Sequence, residues 1–169
     1  MAHLIQKGLK NILQKNPHDV VILSSLRTPL TRAKNGGREN AYPEELLYAV
    51  LKATIAKSPN LDPALIQDVA VGSTLQELGG AKAGRMSQNH AAFSTTTAFH
   101  TINRQCSSRF VAITSIAHAV VVGSIDVGVG AGMEPMTSNY GSRAIPTVLW
   151  PELRHSPDYD ARDCIMPMG

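Results

Sequence analysis

Cys106 is the residue of this chain best placed to do covalent chemistry. It lies between a predicted strand, Ala98–Ile102, and a predicted helix, Phe110–Val122, which ends at Gly123. The thiol is therefore expected at or just before a helix N-terminus, where unpaired N–H groups and the helix dipole present a positive end. Such surroundings favour the thiolate, which is the nucleophilic form of cysteine. Position alone does not separate a nucleophile from an inert cysteine, and the inert kind is commoner.

The other residues that could act as bases, metal ligands or nucleophiles show no functional spacing. His90, His100 and His118 lack the spacing of metal ligands, with one another or with Cys106, so no metal site is predicted. His118 lies in the middle of an apolar helix and is expected to be a satisfied interior histidine rather than a base. Cys164 is expected to pack rather than to act as a second nucleophile.

The glycine-rich run Gly128–Gly132 lies along a predicted strand and lacks the spacing of a phosphate-binding loop. Its glycines are expected to permit a close backbone approach. Four methionines could line an acyl pocket or fill the core: Met133, Met136, Met166 and Met168.

The elements that would position Cys106 alternate between strand and helix. In chain order we predict a strand at Val20–Ser24, a helix at Pro43–Lys57, a strand at Val69–Ser73, a helix at Gly80–Ala92, a strand at Thr95–Asn103, a helix at Cys106–Val122 and a strand at Ile125–Ala131. This β-α-β-α-β-α-β order predicts an α/β fold with a mainly parallel sheet. The last helix is apolar nearly all round, so it is expected to be a buried central helix between two sheets, one of which this chain does not encode. A short amphipathic helix is also predicted at Leu4–Leu13.

Composition limits the classes of function. A length of 169 residues suits one domain with extensions. The charged share of 17% is below the usual quarter, so some apolar surface is expected to meet a partner. The net charge of +3 suits an anionic ligand but is too small and scattered to indicate nucleic acid. No apolar run reaches the length of a membrane span. Two cysteines do not make a disulfide framework, so a reducing compartment is the default expectation.

The hexapeptide Asn-Arg-Gln-Cys-Ser-Ser at residues 103–108 resembles the active-site signature of thiolases, the acyl-CoA:acetyl-CoA C-acyltransferases. Further segments resemble the family in the same order: Val20–Pro29, Asp68–Gln76, Gly84–Ser87, Gly123–Glu134, Asn139–Gly141 and Cys164–Gly169. The last two are similar to the loop domain of the 3-ketoacyl-CoA branch, the peroxisomal type in particular. The resemblance implies an N-terminal extension at 1–18, a thiolase N-terminal domain at 19–134, and the truncated start of a loop domain at 135–169.

The resemblance also implies a reaction. Cys106 would be the acyl-thioester nucleophile that attacks the 3-keto carbon of a 3-ketoacyl-CoA, releasing acetyl-CoA before a second coenzyme A takes the acyl group. The activity would belong to fatty acid β-oxidation, with coenzyme A as substrate and with no permanently bound cofactor and no metal. A homodimer through the thiolase core and a peroxisomal location are implied, with cytoplasm or mitochondrion as alternatives. The residues that would bind coenzyme A are not identified by the sequence.

Several features leave rival interpretations open. The family's second half carries a Gly-His-Pro histidine, an Asn-Glu-Ala-Phe motif and a second cysteine in Cys-x-Gly-x-Gly, and none of these strings occurs here. The chain alone is therefore expected to be inactive, and a non-catalytic truncated thiolase-like protein or interaction fragment is the alternative. A more distant rival is another condensing acyltransferase, such as a ketoacyl synthase. Two residues depart from the family pattern. Arg109 stands where thiolases carry a small residue, so its side chain must find room and a charge partner. Pro135 replaces the serine that usually follows the glutamate.

Overall fold

The structure, a computed structural model, describes residues 14–139 and 148–164. Its main elements are helix α1 at Pro43–Lys57, strand β1 at Asp68–Gly72, helix α2 at Ala81–His90, strand β2 at Ala98–Ile102, helix α3 at Ser108–Val121 and strand β3 at Gly128–Gly132. Three short helices follow: α4 at Met136–Asn139, α5 at Pro151–Arg154 and α6 at Tyr159–Asp163. The helices and strands predicted between residues 43 and 132 are confirmed, with ends shifted by a few residues. The predicted helix at Leu4–Leu13 lies outside the described residues, as do Met166 and Met168.

The three strands form one parallel sheet in the order β2-β1-β3. Asp68 lies opposite Ala98 on one side and Gly128 on the other, and the register continues to Gly72. Helix α2 joins β1 to β2, and α3 joins β2 to β3, as parallel strands require. The predicted α/β class with a mainly parallel sheet is therefore confirmed.

The core lies on both faces of β1, because successive side chains of a strand point to opposite faces. Val69 and Val71 belong to a cluster that includes Leu47 and Leu51 of α1. Ala70 points the other way and packs with residues of α3. Helix α1 begins at Pro43, whose fixed φ suits the first turn of a helix, and the Glu45 carboxylate accepts a hydrogen bond from the Tyr42 amide at 3.3 Å.

The prediction of a buried strand at Val20–Ser24 is wrong. This segment forms no strand, and Val21, Ile22 and Leu23 are 70%, 79% and 63% exposed. A cavity of about 1000 Å³ separates the segment from β3, the edge strand nearest to it. An apolar, β-branched run becomes a strand only where a neighbouring strand can accept its hydrogen bonds, and none of the described residues does so.

Helix α3 is buried on one side. Ala112 and Ile116 face the sheet, whereas Phe110, Val121 and Val122 are about 70% exposed. The expected cover on the second side is absent from the described part of the chain, so only half of the predicted burial is present. Among the described residues, no helix is both long enough and apolar enough to cross a membrane.

Candidate active site

Cys106 lies in the short loop between β2 and α3, two residues before the helix begins. Its side chain is free and exposed. Ser107 is the N-cap residue of α3, so Cys106 is the residue just before the cap, at the end of the helix whose first N–H groups have no partner within the helix. The predicted position of Cys106 is confirmed, and its catalytic role stays a prediction.

Hydrogen bonds that converge on the backbone of Gln105 hold this loop. The carbonyl oxygen of Gln105 accepts bonds from Oγ1 of Thr74 at 2.9 Å, from Oγ of Ser108 at 2.5 Å and from the Ser108 amide at 3.1 Å. The Ser108 hydroxyl in turn accepts a bond from the Arg104 amide at 2.8 Å. The network closes the chain around Cys106 and leaves its side chain outside.

Gln105 has a φ of +49°, in the left-handed region that non-glycine residues rarely adopt. Its amide donates to Oδ1 of Asn103 at 3.0 Å, a local bond of the kind that stabilises such turns. Strained residues of this sort persist only where the surroundings hold them in place, and they cluster at functional sites. The strain immediately precedes the candidate nucleophile.

Glu134 connects the ends of two strands at the same edge of the sheet. Its carboxylate accepts hydrogen bonds from the amides of Thr74 at 2.7 Å and Leu75 at 3.2 Å. Thr74 also reaches the loop that carries Cys106, so the β1 end, the β3 end and this loop form one hydrogen-bonded unit.

Glycines bring the start of α3 onto the sheet. A Cβ at Gly72 would overlap the backbone of Ser108, and one at Gly130 would lie 2.5 Å from Cα of Ile113. The approach at Gly130 fulfils the predicted role of the β3 glycines, which is to let another backbone come close. The loop of Cys106 therefore leads into a helix that packs closely against β1 and β3.

Arg109 is accommodated by solvent exposure and by a neighbouring glycine. Its side chain is exposed and lies over Gly132, where an added Cβ would be 2.5 Å from Nε and 2.8 Å from Cγ of the arginine. No ion pair involves Arg109 within the described residues. The charge is solvated, so the cost of burying an unpaired arginine does not arise here.

Two sequence predictions about individual side chains are wrong. His118 is exposed on the open side of α3, not interior, because the layer that would cover it is absent from the described residues. Cys164 is exposed rather than packed, and its Sγ donates to the Asp160 carbonyl at 3.1 Å.

The other candidate side chains have local partners or lie in the core. Nδ1 of His100 lies 3.3 Å from Oδ1 of Asp68, and the ring of His90 lies against that of Tyr48 at a tilt of 35°, with 4.7 Å between the ring centroids. Met133 is a core residue, whereas Met136 is 43% exposed.

No hydrogen bond reaches Sγ of Cys106 from any described residue, and no group of three metal-binding side chains occurs among them. The sequence did not predict the hydrogen bonds by which Thr74 and Ser108 hold the loop of Cys106. Ser108 was already part of the signature at residues 103–108, but nothing in the spacing indicated that Thr74, more than thirty residues earlier, would reach the loop.

The fold and site together define an α/β protein that presents an exposed cysteine at a strand-to-helix junction. The family model for the thiolase N-terminal domain matches residues 20–169, and the chain belongs to the thiolase family.

Known thiolases resemble the chain over most of its length. It is 38% identical to the peroxisomal 3-ketoacyl-CoA thiolase B of Candida tropicalis over 160 residues, which are 95% of this chain and 38% of the relative. The dimeric peroxisomal thiolase of Saccharomyces cerevisiae superposes with a TM-score of 0.84 and 32% identity, covering 95% of this chain and 42% of that one. A second structure of the peroxisomal 3-ketoacyl-CoA thiolase of that yeast, described as five α-β-α-β-α layers built from two core domains of identical topology, superposes with a TM-score of 0.72 and 35% identity. That match covers 76% of this chain and 38% of the other. The chain thus spans about two fifths of the length of these relatives.

Proposed function

We propose that this chain is the nucleophile-bearing part of a 3-ketoacyl-CoA thiolase of fatty acid β-oxidation. The observation that carries the proposal is the exposed thiol of Cys106 on a loop held by Thr74, Gln105 and Ser108 at the N-terminus of α3. An enzyme that forms an acyl-cysteine needs an accessible sulfur in a rigid setting, because misplacement of a reacting atom by 1 Å is costly.

The proposed reaction has two steps. The Cys106 thiolate attacks the 3-keto carbon of a 3-ketoacyl-CoA, and the bond between C2 and C3 breaks. The electron pair of that bond leaves on acetyl-CoA as an enolate, which takes up a proton, while the shortened acyl group stays on sulfur as a thioester. The thiolate of a second coenzyme A then attacks this thioester, and Cys106 is released as thiolate. Coenzyme A is a substrate in this scheme, and no permanently bound cofactor or metal takes part.

The described residues supply the proposed nucleophile and its setting, but none of them places a base in hydrogen-bond contact with it. Since no described residue hydrogen-bonds to Sγ of Cys106, the acid and base groups are proposed to come from a second core domain, like the one named for the yeast enzyme. The exposed side of α3, including Phe110 and His118, is the surface that such a domain would cover. A homodimer and a peroxisomal location are proposed from the relatives, and we retain 19–134 as the extent of the N-terminal domain.

A non-catalytic thiolase-like protein is the second candidate. Arg109 favours it, because this side chain replaces a small residue three positions after the nucleophile and places a cation over the end of β3.

Acyl transfer to the thiol separates the two candidates. The chain would be incubated with acetyl-CoA or acetoacetyl-CoA, digested at acidic pH and mapped by mass spectrometry. We expect an acetyl thioester on Cys106 that is lost in Cys106→Ser and retained in Cys164→Ser, without sustained turnover. An unmodified Cys106, or equal modification of Cys164, would favour the non-catalytic candidate.

A further inference from the structure

Thr74 is the residue at which the three segments around Cys106 meet. Its amide donates to Oε2 of Glu134 at 2.7 Å, and its carbonyl oxygen accepts from Nδ2 of Asn103 at 3.4 Å. Its hydroxyl donates to the carbonyl oxygen of Gln105 at 2.9 Å. The segment after β3, the segment after β2 and the loop of Cys106 are therefore each bonded to a different polar group of one residue at the end of β1.

The hydroxyl of Thr74 bonds the peptide unit that leads directly into Cys106. The carbonyl oxygen of Gln105 and the nitrogen of Cys106 belong to this one unit, which is planar. A bond that fixes the carbonyl therefore also fixes the direction in which the chain enters Cys106. Oγ of Ser108 donates to the same oxygen at 2.5 Å, so the peptide unit is held between the end of β1 and the first turn of α3.

The backbone at Gln105 would leave this position if the carbonyl were released. Its φ of +49° lies in the left-handed region, which residues other than glycine disfavour. Relaxation to the common helical or extended regions would change φ by about 100° or more and would swing the carbonyl and Cys106 together. Since α3 begins two residues after Cys106, the thiol would move relative to the helix N-terminus that favours its thiolate form.

We propose that Thr74 is a positioning residue for Cys106, and that its hydroxyl holds the peptide unit between Gln105 and Cys106 in a strained conformation that keeps the thiol reactive. Glu134 supports this role by immobilising Thr74, because its carboxylate bonds the amides of both Thr74 and Leu75. Since Cys106 is taken as the nucleophile, this role of Thr74 rests on the proposed function.

The rate at which iodoacetamide alkylates Cys106 measures this role, with Cys164 of the same chain as the internal reference. Thr74→Val removes the hydroxyl and keeps the shape of the side chain. It should lower the rate at Cys106 about fivefold, which corresponds to about 1 kcal/mol, the net contribution of one hydrogen bond. Thr74→Ser keeps a hydroxyl that can donate, so it should restore most of the rate. The rate at Cys164 should be the same in all three chains.

Thr97→Val is the matched control for a general loss of stability. The Thr97 hydroxyl also donates to a backbone carbonyl thirty-one positions away, that of Ile66 at 2.7 Å. Thr97 is buried and precedes β2, so it lies at the opposite end of the sheet from Cys106. This variant should lower the free energy of unfolding at least as much as Thr74→Val and leave the alkylation rate of Cys106 unchanged. Equal slowing in the two variants would overturn the proposal, because reactivity would then follow stability alone.

Glycine at position 105 tests whether the held conformation is the strained one. Glycine adopts a positive φ readily, whereas alanine does not. In the Gln105→Gly background, Thr74→Val should therefore slow alkylation by less than about twofold, while in the Gln105→Ala background the loss should stay at about fivefold. Equal losses in the two backgrounds would overturn the proposal.

Acyl transfer from acetyl-CoA, measured in the same variants, separates this role from the proposed function. If Cys106 forms no thioester but its alkylation slows in Thr74→Val, the positioning role is supported and the enzymatic function is contradicted. If the thioester forms equally fast with and without the Thr74 hydroxyl, the enzymatic function is supported and the positioning role is overturned.

Discussion

Thr74 donates a hydrogen bond from its hydroxyl to the carbonyl oxygen of Gln105 at 2.9 Å, across thirty-one positions of sequence. This contact fixes the residue before Cys106 to the end of the central strand. Since the Thr74 amide is itself bound by Glu134, a side chain at the end of β3 is connected to the nucleophile loop through one residue.

Thr74→Val should therefore lower the free energy of unfolding by about 1 kcal/mol. Valine keeps the shape of threonine but lacks its hydroxyl group, so the hydrogen bond to the loop is lost. Urea denaturation monitored by circular dichroism measures the change. Thr114→Val is the matched control, since that hydroxyl bonds only within its own helix, to the Phe110 carbonyl at 3.0 Å. Equal losses in the two variants would show that the Thr74 contact has no special importance.

Cys106 should react with iodoacetamide faster than Cys164 at neutral pH. Both thiols are exposed, so accessibility does not separate them, but only Cys106 lies beside the N-terminus of a helix of fourteen residues. Peptide mapping over a time course gives the two rates in one sample, and the same chain in urea provides the baseline. If Cys164 reacts as fast in the folded protein, the nucleophile assignment loses its support.

Gly130→Ala should destabilise the chain by about 1–3 kcal/mol, the usual cost of overpacking. The new methyl group would meet backbone atoms of Ile113 at 2.5 and 2.9 Å, and a helix backbone cannot yield as a side chain can. Gly37→Ala serves as control because nothing lies within 4 Å of its added Cβ. Similar melting temperatures for the two variants would contradict the close approach of α3 to β3.

Arg109→Gly should leave the melting temperature unchanged or slightly lower. The arginine is exposed and does not crowd the helix start, while glycine in a helix costs up to about 1 kcal/mol. Arg109→Ala removes the same contacts without that backbone cost and should be nearly neutral. A clear rise in both variants, measured by differential scanning calorimetry, would instead indicate that the arginine strains the packing over Gly132.

Phe110→Ser should reduce self-association of the chain. Phe110 is 69% exposed on the open side of α3, and apolar surface of this kind drives association in water. Sedimentation velocity over a range of concentrations measures the effect. Leu65→Ser removes a similarly exposed apolar side chain from a 3₁₀ turn elsewhere and should change association little.

The local pattern predicted the helices and strands between residues 43 and 132, and it missed the three short helices that follow β3. Helix α1 was predicted with its observed ends because Pro43 and the spacing of Leu47 and Leu51 are local signals. Val20–Ser24 carries an equally clear strand pattern, but a strand also needs a neighbour, which the pattern does not report. The same reason explains why His118 is exposed and not interior as predicted. Its helix is apolar nearly all round, but the described residues cover it on one side only.

The site shows the same division. The position of Cys106 followed from the junction of β2 and α3, both of which are local features. Thr74 and Glu134 were not predicted to contact one another, because their meeting depends on how β1 and β3 align in the sheet. Sequence order says nothing about that register until the sheet is known.

The central place of β1 sets the order in which the sheet can assemble. Its two neighbours follow it by about thirty and sixty residues, so neither pair is a hairpin and both require closure of a long loop. Each doubling of loop length adds about 0.6 kcal/mol to the entropic cost, which favours the β1–β2 pair. Strand β3, with three glycines to be ordered, should join last and together with α3. The nucleophile loop would then reach its final form only at the end of folding, when Glu134 arrives beside Thr74.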